Sequence, residues 1–168
     1  MQTVPPDLDE RFPADADSVG RARHAVARFA AAAGAREPEL DGIRLAVSEA
    51  VTNAVVHGYR GEPGEVRVTA ALDRDGALRV VIHDAGSGMR RQADRPGMGL
   101  GLGLIAEFTE EMALVPHAEG TELRMCFTLA ATKRPHGPAR AQGSASAPAS
   151  PCGLFRGDPG YRAAVAAS

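Results

Sequence analysis

The chain has 168 residues and a formal net charge of −2; 44% of its side chains are hydrophobic, only 4% are aromatic, and none is Trp. That suffices for one domain with a core of Val, Leu, Ile and Ala, and is too little for two comfortable ones. Residues 131–168 carry five basic side chains against Asp158 alone, a balance of +4 that leaves −6 for residues 1–130, so the body is a poor nucleic-acid surface.

No apolar run approaches the ~20 residues needed to cross a bilayer, and the start lacks a basic region followed by an apolar one. The expectation is a cytoplasmic protein with neither a membrane nor a direct nucleic-acid partner. Residues 1–14, with Pro5, Pro6 and Pro13 among several acids, read as an irregular lead-in. Ser18 is placed to cap a helix through "VGRARHAVARFAAAAG", with Val19, Ala22, Val26 and Phe29 as its apolar stripe and Gly34 as its stop. A second helix begins near Pro38, has Glu37, Glu39 and Asp41 at the positive end of its dipole, and stops near Gly58.

"EVRVTAAL" and "ALRVVIHD" alternate around the turn "DRDG" and predict a β-hairpin. "AGSGMRRQADRPGMGLGLG" holds six glycines and reads as a loop entering a helix, which continues through "LIAEFTEEM" with Leu104, Phe108 and Met112 one turn apart. A short apolar piece, "MALVP", precedes the turn "HAEG" and a last strand, "TELRMCFTLA". Cys126 in that strand reads as a small core residue and Cys152 as an incidental one; they make no disulfide framework and no CxxC metal spacing. From Ala131 the composition turns Pro/Ala/Gly/Ser-rich without periodicity, which predicts a disordered tail over residues 131–168. Residues 15–130 remain as an α+β unit, a two-layer sandwich.

Chemistry concentrates in three places. On the second helix, Glu49, Asn53 and His57 recur every four residues and form one row between two largely apolar sectors, one with Val47, Ala50 and Ala54, the other with Leu45, Thr52 and Val56. Burying a carboxylate without a partner costs several kcal/mol in order of magnitude, so the row suits a site that holds a cation or moves a proton. Asn53 offers a metal a neutral oxygen, and Glu49 can orient or deprotonate a hydroxyl. The second place is "DAGSG", Asp84 to Gly88, at the end of a strand expected to be central. There a carboxylate can accept from an exocyclic amine while two glycines admit a ligand to the backbone. The third is "GMGLGLG", Gly97 to Gly103, whose glycines before a helix expose N–H groups to an anion. It matches neither the dinucleotide fingerprint nor the Walker pattern.

In this order the three resemble the N box and the two glycine boxes of the histidine-kinase-like (Bergerat, GHKL) ATP-binding superfamily, and Glu119-Gly120-Thr121 resembles its closing Gly-Thr. "AVSEAVTNAVVHGY" is most similar to the anti-sigma factor serine/threonine kinases. The resemblance implies the following roles. Glu49 is a general base and Asn53 a ligand of Mg²⁺. Asp84 reads adenine with support from Thr121, and Gly86 and Gly88 shape the pocket. Gly97, Gly99, Gly101 and Leu102 lie along the nucleotide, with the glycines close to the phosphates. His57 is assigned a structural role at the helix end.

The resemblance further implies ATP and Mg²⁺ as cofactors, a homodimer, and two protein partners, a sigma factor and an anti-sigma factor antagonist phosphorylated on Ser or Thr. Eight residues separate Gly88 from Gly97, a shorter lid than the sporulation kinases carry, with Arg90, Arg91 and Arg95 to screen phosphate charge. A non-catalytic, ATP-dependent regulatory binding module is therefore the alternative. The ATP-binding half of a histidine kinase fits less well, since His24 sits in a lone helix without a dimerisation pair.

Overall fold

Two-residue alternation builds three strands where the sequence places them: β2 (Glu65–Leu72), β3 (Leu78–Asp84) and β5 (Gly120–Phe127). These belong to a computed structural model that describes residues 7–59, 61–73, 75–86 and 99–130. Two further strands complete one antiparallel sheet, β1 (Leu8–Pro13) and β4 (Glu111–His117), in the order β1-β2-β3-β5-β4. β3 is thus central, as expected. The expectation of an irregular lead-in is corrected, because β1 pairs with β2 from Leu8↔Ala70 to Pro13↔Glu65. Its alternation is masked by charge: Phe12 points into the core, while Asp9 and Arg11 face outward to Arg67 and Glu65. "MALVP" lies within β4.

Among the described residues, three helices cover one face of the sheet. α1 (Ala16–Ala32) buries Ala22, Val26 and Phe29. Its cap is Asp15 rather than Ser18: the Asp15 carboxylate accepts from the Ser18 N–H at 2.9 Å, and Ser18 itself is fully buried in the first turn. Gly34, at φ 100°, ends the helix, and the Ala35 N–H returns to Ala30 C=O at 2.9 Å. α2 (Glu39–Asn53) runs into a π-helical turn over Ala54–Gly58, so the regular helix stops five residues before Gly58. α3 (Gly99–Phe108) begins inside the glycine segment that the sequence reads as loop. Met112, expected on that helix, belongs to β4.

The core forms where the inward rows of the sheet meet these helices. Val66, Val68 and Ala70 of β2, Leu78, Val80 and Ile82 of β3, and Leu123, Met125 and Phe127 of β5 pack with Val26, Ile43, Val47, Val51 and Ile105. The α+β two-layer fold is as expected. Cys126 faces the other side of the sheet, fully buried beside Ala77, and its sulfur is disulfide-bonded. Its burial is as expected of a small core residue, while the bond corrects the expectation of no disulfide, since alternation reports burial and says nothing of bonding. The tail from residue 131 lies outside the described residues.

Candidate nucleotide-binding site

β3 and β5 bring the first pair together. Asp84 follows Ile82 on the inward row of β3, Thr121 precedes Leu123 on that of β5, and the two are register partners. Continuing a hydrophobic row to its end leaves both side chains buried, at 0% and 1% exposure. Asp84 Oδ1 accepts from the Gly86 N–H at 3.0 Å. Its other oxygen, and the Thr121 hydroxyl, have no hydrogen-bond partner among the described residues. Burial pushes the Asp84 carboxyl up to about 6, with the Gly86 N–H pulling the other way. A buried acceptor without a donor costs free energy, so this end of the sheet suits a ligand that brings a donor, such as the amino group of adenine.

Glycines make room for that carboxylate. A Cβ on Gly58 would lie 3.0 Å from Asp84 Cγ, one on Gly86 would lie 2.1 Å from Gly58 O, and one on Gly120 would lie 1.8 Å from Asp84 O. Gly120 also has φ +137°, a conformation that side chains rarely adopt. The end of α2 is thereby pressed against the β3 exit and the β5 entry.

The second cluster lies further back on α2. Glu49 and Asn53, one turn apart, are half-buried, and α3 crosses them through Gly101. A Cβ there would sit 3.2 Å from Glu49 Oε2 and 3.4 Å from Asn53 Nδ2, so an acid and an amide converge beside the start of a helix. Only one of the two apolar sectors expected to shelter the row is packed: Val47, Ala50 and Ala54 are buried, whereas Leu45 is 37% and Val56 52% exposed. The row therefore borders the core instead of lying inside it, and a ligand can reach it. His57 is half-buried in the π-helical turn.

Gly99 opens α3, and Leu102 is partly buried against the core. Gly88, Gly97 and the arginines at 90, 91 and 95 lie outside the described residues. No group of three His, Cys, Asp or Glu side chains able to hold a metal converges among the described residues. Mg²⁺ commonly takes one or two protein oxygens and completes its shell with phosphates and water, so the single Asn53 amide fits it when a nucleotide shares the ion. Sequence reasoning gave Gly58 only a role as helix stop, and gave none to Tyr59 or Gly64. The Tyr59 hydroxyl accepts from the Ala85 N–H and donates to Glu65 C=O, with its ring against Gly64. The dipeptide Gly58-Tyr59 directly after His57 was the available signal. A cavity of about 300 Å³ lies at the other end of the helices, lined by Gly42, Phe108 and Thr128, away from these residues.

The sequence model of the histidine kinase-like ATPase domain matches residues 12–127. Among curated proteins, the anti-sigma F factor of Heyndrickxia coagulans is 33% identical over 128 residues, 68% of this chain and 87% of the relative. That of Clostridium acetobutylicum is 33% identical over 105 residues, 55% of this chain and 73% of the relative. Among solved structures, the RsbU and RsbW domains of Rv1364c from Mycobacterium tuberculosis superpose with a TM-score of 0.61 at 28% identity, covering 74% of this chain and 33% of that one. A histidine kinase domain from Erythrobacter litoralis shares the fold, with a TM-score of 0.52 at 23% identity over 66% of this chain and 62% of that one.

Proposed function

The chain belongs to the histidine kinase-like ATPase domain family, alongside the anti-sigma F factors, and from that premise we propose that it is an anti-sigma factor protein serine/threonine kinase. It binds Mg·ATP, phosphorylates a Ser or Thr of an anti-sigma factor antagonist, and sequesters a sigma factor, acting as a homodimer. The observation that carries this reading is the convergence of Glu49 and Asn53 on Gly101 at the start of α3. A carboxylate, a neutral amide oxygen and a helix start placed together suit a phosphate-bearing substrate and a hydroxyl nucleophile.

In this mechanism Asp84 accepts from the amino group of the base, and the Thr121 hydroxyl supports the same edge. Asn53 would hold Mg²⁺ through its amide oxygen, and the ion would neutralise charge on the phosphates. Glu49 takes the proton from the antagonist's hydroxyl as that oxygen bonds to the γ-phosphorus and the bond to the β–γ bridging oxygen breaks, releasing ADP. Positioning and charge neutralisation supply most of the acceleration.

The test separates binding from chemistry. Glu49→Gln keeps shape and hydrogen bonding while removing the base. Mg·ATP affinity is expected to survive, and transfer of labelled phosphate to the antagonist to fall by ~10²-fold or more. A stable variant that transfers phosphate at the parental rate overturns the catalytic role. A parent that binds ATP and transfers none to any antagonist favours the binding-module reading, for which the eight residues between Gly88 and Gly97 are the motive.

A further inference from the structure

We propose that Tyr59 is a positioning residue that sets how strongly the site discriminates a 6-aminopurine from other purines. The proposal rests on the ATP-binding reading above and deepens it. Among the described residues nothing but backbone holds the Asp84 carboxylate: Oδ1 takes the Gly86 N–H at 3.0 Å, and Oδ2 has no partner. Which way Oδ2 faces therefore depends on the turn Asp84-Ala85-Gly86. The middle N–H of that turn, from Ala85, donates to the Tyr59 hydroxyl at 2.8 Å. The same hydroxyl donates its one proton to Glu65 C=O. Its donor is thus used inside the protein, and a lone pair receives the turn.

The rest of Tyr59 is built to hold that hydroxyl still. The π-helical turn over Ala54–Gly58 departs from regular helical register just before Tyr59. A Cβ on Gly64 would lie 2.0 Å from the Tyr59 ring, so only glycine leaves the ring its place. Gly64 C=O in turn accepts from the Ala14 N–H at 2.9 Å, which fastens it to the segment joining β1 to α1. Tyr59 therefore ties the end of the α2 extension, the start of β2 and the exit of β3 to one point. Its ring packs partly buried against the core and is structural. The hydroxyl reaches past the core to two backbone groups, and its task is to fix the direction of the adenine reader.

Tyr59→Phe keeps the ring and removes the hydroxyl alone. The experiment is calorimetry on the full chain with Mg·ATP and with the Mg complex of purine riboside triphosphate, which lacks the 6-amino group, alongside melting curves. The parent is expected to favour ATP. In the variant ATP affinity falls by about tenfold while analogue affinity stays near the parental value, so the preference collapses; the two lost internal hydrogen bonds lower the melting temperature by a few degrees. An unchanged ratio overturns the proposal. So does a parallel loss of both ligands, which marks a merely structural tyrosine, and so does a parent that does not prefer ATP. A parent that binds neither nucleotide sinks the ATP-binding reading itself. A parent that prefers ATP, with an unchanged variant, sinks the role of Tyr59 alone.

Discussion

The carboxyl of Asp84 occupies a place where its charge is costly. Burial raises it from 3.8 to about 6, so the folded protein binds a proton more readily than the unfolded chain. Stability is then fully present below about pH 4, is lost as pH rises through about 6, and is flat above. A shift of that size corresponds to about 3 kcal/mol in order of magnitude. Without nucleotide, Asp84→Asn is expected to melt higher than the parent at pH 7 and to lose this part of the pH dependence. Superimposable melting profiles from pH 4 to 7 would contradict it. Asn53→Ala is expected to remove the Mg²⁺ dependence of ATP binding while leaving the fold intact; equal calorimetric titrations with and without the ion, in parent and variant alike, would count against the metal role. Asp84, Asn53 and Glu49 stand out in the sequence because a polar side chain at an apolar register position is itself a signal. Tyr59 does not, because its hydroxyl acts on backbone groups of Glu65 and Ala85 that no side-chain pattern reveals.

At the level of elements, glycines decide where helices meet. Gly101→Ala should favour the helix by up to ~1 kcal/mol, yet its Cβ would press on Glu49 Oε2 at 3.2 Å. The expected outcome is an unchanged or raised melting temperature with severalfold weaker ATP binding; unchanged affinity would show that the α3 start does not border the nucleotide. The elements themselves were unevenly legible. β2, β3 and β5 alternate cleanly, whereas Asp9, Glu10 and Arg11 hide the alternation of β1 around Phe12. The π-helical turn leaves no trace, since Ala54 and Val55 continue the apolar pattern of α2. α3 starts among glycines, residues that disfavour helix, because tertiary packing on α2 outweighs propensity there. Phe12→Ala tests β1 as a structural strand. Phe12 is 3% exposed, and its loss is expected to destabilise by about 3–5 kcal/mol; a melting temperature equal to the parent's would restore the lead-in reading.

Across the whole molecule, the candidate site and Ala130, the last of the described residues, sit at opposite ends of α2. The Ala130 N–H meets the Glu39 carboxylate at the start of α2, while Glu49 and Asn53 stand near its other end. The 15 residues of α2 span about 22 Å. A chain ending at Ala130 is expected to bind Mg·ATP with parental affinity; because Cys152, the other cysteine, is removed with the tail, a large loss that the full chain repeats under reduction marks the disulfide, and one that it does not repeat marks the tail. α3 lies antiparallel along the same rod, touching α2 through Gly101 beside Glu49 and through Phe108, whose Cδ1 would be 2.8 Å from a Cβ on Gly42. One short helix thus spans from the candidate site to the start of α2. The chain has no Trp, and Phe108 is 41% exposed, so Phe108→Trp would place a single indole emitter on a dark background. Its colour and intensity would follow nucleotide occupancy from the far end of the helix, without a label and without touching a residue that holds the ligand.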